Sequence, residues 1–89
     1  MIIKEIEYSR KFVKQFKQLP VLIQEKTVKT ETVFKRNPFY PGLRLHKLQG
    51  QLQDYWSVSI TRDYRIIMKM TDEGKVIFGS IGRHSIYEK

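Results

Sequence analysis

From Met1 to Ser9 apolar and polar residues alternate imperfectly, with Ile2, Ile6 and Tyr8 set against Ile3, Glu5 and Glu7. A period near two predicts a first strand. Ser9 then supplies a side-chain oxygen suited to cap a helix N-terminus. In "RKFVKQFKQL" the period changes: Phe12, Phe16 and Leu19 fall on one helical face, with lysines on the other. Pro20 breaks this helix or opens the next at its first turn. From Val21 to Arg36 the pairs Leu22/Ile23 and Val33/Phe34 stand three helical turns apart, with Thr27 and Thr30 filling the stripe between them. This predicts a second amphipathic helix, forming a hairpin with the first. Phe12, Phe16, Val33 and Phe34 are read as core, the alternative being a contact surface for a partner. "NPFYPG" ends the helical part, because two prolines and a glycine in six residues make a loop.

Beyond that loop the period returns to two. "LRLHKL" sets Leu43, Leu45 and Lys47 against Arg44, His46 and Leu48, and "YWSVSI" sets Trp56, Val58 and Ile60 against Tyr55, Ser57 and Ser59. "YRIIMKM" follows the short "TRD" connection, and "KVIFGSI" follows the turn "TDEGK". Connections this short require antiparallel pairing. The expected fold is therefore α+β. A single domain over residues 1–89 would run as N-terminal strand, helical hairpin, then an antiparallel meander of three or four strands, with the helices on one sheet face. So small a sheet leaves its second face partly open, and the polar strand positions belong there. No repeat, linker or low-complexity segment interrupts the pattern.

Composition narrows the function. At 89 residues and 40% hydrophobic the chain is short but apolar enough to fold alone. It has no cysteine, which excludes disulfides and thiolate metal sites. No apolar run is long enough to span a membrane, and "MIIKEIEYSRKF" lacks the features of a signal peptide, so a cytoplasmic protein is expected. Seventeen Lys and Arg against nine Asp and Glu leave a net charge of +8, which favours nucleic acid or an acidic protein as partner.

The chemistry on offer is limited. The two histidines lie 38 positions apart, without metal-ligand spacing or an acidic cluster, so no metal is expected. Glycine-rich phosphate loops are absent, no cofactor is expected, and no serine sits on a nucleophile elbow. What remains is a set of cations and histidines: Arg44, His46 and Lys47 in one stretch, Arg62 and Arg65 around a turn, and Arg83, His84 and Tyr87 at the end. Cleaving RNA without a metal needs a base for the 2′-hydroxyl, an acid for the departing 5′-oxygen, and cations for the phosphorane. Two histidines among arginines meet that requirement. Each also has a plain structural reading, as a solvated strand-end residue, and Trp56 and Tyr87 suit packing as well as base stacking.

The ordered series "NPFYPG", "LHKLQGQL", "YWS", "DYRI" and "IGRH" resembles the RelE/ParE superfamily of bacterial toxins, in its RelE, YoeB and YafQ-like branches. The resemblance covers the chain from Asn37 to its end, and the strand–helix–helix opening fits it. It implies the toxin of a type II toxin–antitoxin pair that enters the ribosomal A site and cuts mRNA there by metal-independent 2′-hydroxyl attack. It further implies His46 as general base, Arg65 as transition-state stabiliser and His84 as general acid, with the two histidines exchangeable. Tyr87 would orient the scissile nucleotide, although it stands three residues after His84 where relatives carry an aromatic after four. Arg44, Lys47, Arg62 and Arg83 would hold phosphates, Asp63 falls on a functional aspartate of YafQ-like members, Trp56 is a stacking candidate, and Ser59 replaces a second YafQ-like histidine. The implied partners are an acidic antitoxin in a hetero-oligomeric complex, the ribosome and mRNA. The ParE-like branch implies a different outcome, a gyrase inhibitor without nuclease activity, and a degenerate toxin would only bind its antitoxin.

Overall fold

A computed structural model of the chain describes residues 2–83. The elements run β1 (Glu5–Tyr8), α1 (Arg10–Lys17), α2 (Val21–Arg36), β2 (His46–Lys47), β3 (Trp56–Ser59), β4 (Tyr64–Met70) and β5 (Lys75–Arg83), with short 3-10 turns at Pro41–Leu43 and Gly50–Leu52. This is the expected α+β arrangement. Among the described residues five strands form one sheet in the order β1-β5-β4-β3-β2. The antiparallel meander has four strands, and β1 joins its far edge parallel to β5, Glu5 opposite Lys75 and Tyr8 opposite Phe78.

Local chemistry explains the boundaries. The Ser9 side chain accepts from the Phe12 amide at 3.0 Å and so caps α1. Pro20 stands at the cap position of α2, where its missing N–H costs no helical bond, and its carbonyl takes the first one from Gln24 at 3.0 Å. Thr27 and Thr30 are buried in the α2 stripe, with their hydroxyls donated to the Ile23 and Lys26 carbonyls. The stretch expected as a strand from Leu43 to Leu48 pairs only at His46 and Lys47, because Arg44 takes a left-handed φ of 50° and ends the extended run.

The core lies between the helices and one sheet face. Phe34, Phe78, Val58, Ile66, Met68, Val76 and Ile81 are buried there, joined by Phe12 and Leu43. Phe78 is its centre, with ring centroids 5.4 Å from Phe12, 5.7 Å from Tyr8 and 6.0 Å from Phe34. Each such buried side chain contributes about 1.5–3 kcal/mol over leaving it in water. Phe16 and Val33 pack on this cluster from its rim. The hairpin is not closed along its length. A groove of about 320 Å³ separates α1 from α2, lined by Phe12, Val13, Phe16, Thr27 and Val28, and bridged at its lip by Tyr8 hydrogen-bonded to Glu31.

A bulge at Gly79 interrupts the β4–β5 ladder, since Ile67 faces Ser80 and Met68 faces Phe78. The freed Gly79 carbonyl accepts from the Ser9 hydroxyl at 2.7 Å, and the Ile81 amide donates to Gln15 Oε1 at 2.8 Å. Helix α1 is thereby fastened to β5 by polar groups at the bulge and just beyond it.

Candidate functional site

Residues paired across a sheet share a face, and the face alternates along each strand. Val58, Ile66 and Ile81 point to the helices. The opposite face therefore carries two transverse rows: His46, Ser57, Ile67 and Ser80, then Ser59, Arg65 and Gly82. Arg44 precedes His46 by two positions and extends the second row beyond Ser59. The face expected to be partly open thus gathers Arg44 and His46 from one stretch of chain and Arg65 from another, but its middle is closed: Ser57, Ile67 and Arg65 are buried there. Two strand-to-strand spacings and one row separate His46 from Arg65, roughly 12 Å between backbones.

His46 is exposed, and its Nδ1 lies 2.9 Å from the Arg44 carbonyl oxygen. A carbonyl only accepts, so in the neutral ring Nδ1 carries the proton and Nε2 keeps its lone pair. Arg65 is the opposite case. It is 8% exposed, and its Nη1 lies 2.7 Å from the Thr61 carbonyl, 3.0 Å from that of Arg62 and 3.2 Å from that of Tyr64. One guanidinium nitrogen holds the whole β3–β4 turn. Arg62 and Asp63 stand exposed on that turn, where the Thr61 hydroxyl accepts from the Asp63 and Tyr64 amides, each at 3.2 Å.

The remaining candidates divide. Lys47 pairs with Trp56, and the alternation turns both away from His46. Trp56 is half-buried against the core. Arg83 pairs with Tyr64 and sets its guanidinium over that ring, 5.6 Å from the centroid, also off the row of Arg65. His84 is bonded to Arg83, and with Tyr87 it lies outside the described residues. Two groups given no chemical role stand out: the Ser57 and Ser59 hydroxyls are buried on the face opposite the helices and make no hydrogen bond. Their signal in the sequence was the polar half of "YWSVSI".

Among the described residues no group of histidines and carboxylates is arranged to hold a metal ion, and no helix is long and apolar enough to cross a membrane. The electrostatics of the face are positive, from Arg44, Arg62 and Arg65 with Lys69 further along β4. At the far edge Glu7 pairs with Lys75 at 3.0 Å.

Comparison with known proteins agrees with this architecture. Against curated proteins the sequence has no match. Solved structures match over nearly the whole chain. A YoeB/ParE toxin from Agrobacterium tumefaciens superposes with a TM-score of 0.76 at 19% identity, covering 91% of this chain and 99% of its own. YafQ from E. coli gives 0.72 at 27% identity, covering 90% and 92%. The RelBE2 toxin–antitoxin complex from Mycobacterium tuberculosis gives 0.78 at 17% identity, covering 96% and 95%. The family model of the ParE-like toxin domain matches residues 22–89, and it makes the chain a member of the RelE/ParE toxin superfamily.

Proposed function

We propose that this chain is the toxin of a toxin–antitoxin pair and an endoribonuclease that cuts mRNA in the ribosomal A site, inhibiting translation. The observation that carries the reading is the His46 ring. Its Nδ1 is committed to the Arg44 carbonyl at 2.9 Å, which leaves Nε2 outward on an exposed edge as a proton acceptor. In this scheme Nε2 takes the proton of the 2′-hydroxyl as that oxygen attacks the adjacent phosphorus. Electrons pass through a phosphorane, and the 5′-oxygen leaves with a proton from His84, giving a 2′,3′-cyclic phosphate and a free 5′-hydroxyl. Arg65, across the same face from His46, supplies a buried positive charge whose field is little screened. Arg44 and Arg62 hold flanking phosphates, Lys47 and Arg83 act from the edges, and Tyr87 orients the base.

An acidic antitoxin fits the other side of the molecule. The groove beside α1 is apolar, and the helix along it carries Arg10, Lys11, Lys14 and Lys17 with no acid. An amphipathic acidic segment matches both features. The relative from M. tuberculosis is itself a toxin–antitoxin complex.

The test is mRNA cleavage on programmed ribosomes by the wild type beside His46→Ala, Arg65→Ala and His84→Ala. A-site cuts that fall at least 100-fold in each variant are expected. Intact mRNA together with inhibited gyrase supercoiling would move the chain to the ParE-like mode. Intact mRNA with gyrase unaffected and antitoxin still bound would make it a degenerate toxin.

A further inference from the structure

The loop between α2 and the Pro41–Leu43 turn exposes two adjacent aromatic rings, Phe39 at 60% and Tyr40 at 53%. Rings of that size left in water forgo a large burial energy. Among the described residues neither is paired with another ring.

Their backbone is held nonetheless. The Asn37 side chain accepts from the Phe39 amide at 3.1 Å, and the Asn37 carbonyl accepts from the Tyr40 amide at 3.0 Å. The Tyr40 carbonyl accepts from the Leu43 amide at 3.0 Å, while Pro38 and Leu43 are buried on either side of the pair. Tyr40 is seated as well. A Cβ on Gly42 would lie 2.8 Å from Tyr40 Cε2, so the ring uses the space that the glycine leaves. Aromatic side chains on a fixed loop have little entropy left to lose when a ligand arrives.

The surroundings select the ligand. From residue 35 to residue 47 the exposed charges are Lys35, Arg36, Arg44 and Lys47, the stretch has no Asp or Glu, and its two leucines are buried or half-buried. Exposed rings set among cations suit the flat bases and phosphates of a single-stranded nucleic acid. The apolar groove beside α1 takes no residue from this loop. Position agrees with composition. Gly42 and Arg44 share a hollow with Thr61 and Arg62, which sets the loop beside the β3–β4 turn. Six residues lead from Tyr40 to His46, at most about 20 Å of chain.

We infer that Phe39 and Tyr40 each stack one unpaired base of the strand that reaches His46, gripping the substrate by its bases outside the step that is cut. The inference rests on the nuclease reading for the identity of that strand as substrate RNA. Stacking needs only the face of a base, so the grip tolerates any sequence.

The test measures binding of a fluorescein-labelled uridine hexanucleotide to the purified chain across a salt series, in His46→Gln so that no strand is cut. Phe39→Ala and Tyr40→Ala should each weaken binding about five- to 150-fold. Phe39→Leu, which keeps apolar bulk without the ring, should lose nearly as much, and Tyr40→Phe should bind like the parent. The slope of log affinity against log salt should not change, because no phosphate contact is removed. Gly42→Ala should weaken binding only where Tyr40 is present, since the added methyl moves its ring. A hexanucleotide of the same backbone without bases should bind the parent and the alanine variants alike. Alanine variants that bind uridine like the parent overturn the inference and leave the pair to a protein partner. Equal losses on the strand without bases, or a parent that binds neither strand, overturn it too. Base-dependent binding in a chain that never cuts mRNA on ribosomes would sink the nuclease reading and leave the stacking pair in place.

Discussion

Gln15 Oε1 accepts the hydrogen bond of the Ile81 amide at 2.8 Å, a link from the middle of α1 to the last strand across sixty-six residues. Ile81 pairs with Ile66 on one side, and β1 stops at Tyr8 opposite Phe78, so on the other side of β5 the Ile81 amide meets α1 instead of a strand. Gln15→Leu should leave a buried N–H without a partner and cost about 1–3 kcal/mol. Gln15→Glu, which still accepts, should cost less. Urea denaturation of both variants checks the ranking.

Tyr8 makes stability fall at high pH. Burial and then the hydrogen bond and negative charge of Glu31 push its phenol from 10.0 up to about 12. The folded state therefore keeps its proton where the unfolded chain has lost it. This contribution is whole below pH 10 and is lost as pH rises through about 12. Tyr8→Phe should flatten the fall across that window. Because Lys75 is also raised, by its hydrogen bond to Glu7, the quantity to measure is the difference between wild type and variant.

Arg65 should show two separable losses. Removing the side chain frees the Thr61, Arg62 and Tyr64 carbonyls from one charged donor, and bonds of that kind contribute about 1.5–3 kcal/mol. Arg65→Ala is expected to lower the denaturation midpoint and to speed amide exchange at Asp63 and Tyr64. Arg65→Lys keeps the charge but not the fork. Cleavage restored by lysine would assign the catalytic effect to charge, and cleavage still absent would assign it to the turn.

Ser57 is fully buried, with its hydroxyl unmatched. Ser57→Ala removes a desolvated group without opening a large cavity, so a gain of about 1 kcal/mol is expected in thermal unfolding. A fall of similar size would mean that a bound water satisfies the hydroxyl.

Much of this was legible in the chain because local rules wrote it. Ser9 capped, Pro20 and "NPFYPG" bounded α2 from Val21 to Arg36, and "YRIIMKM" became β4 from Tyr64 to Met70. The parallel partner of β1 was not legible, because alternation in "MIIKEIEYS" says which residues face inward and nothing of which distant strand lies alongside. The shortening of β2 was hidden in one backbone angle at Arg44, a residue type that gives no warning of a left-handed turn. At the site, the alternation placed His46, Ser57 and Ser59 on one face. It did not reveal that Arg65 would spend a nitrogen on the turn beside it, since that depends on how the turn folds back.

The pairing of β1 with β5 also sets a timetable. Among the described residues β1 has β5 as its neighbour in the sheet, so the first strand of the chain waits for the last. During synthesis residues 5–8 have no edge to join until residues 75–83 have cleared the ribosome, and α1, tied to β5 through Ser9 and Gln15, waits with them. Contacts so remote in sequence close slowly, because loop entropy is spent before they form. The face opposite the helices, whose second row runs from Ser59 through Arg65 to Gly82, is complete only once β5 has docked. A nascent chain therefore carries that row incomplete by topology, for the interval between emergence and docking.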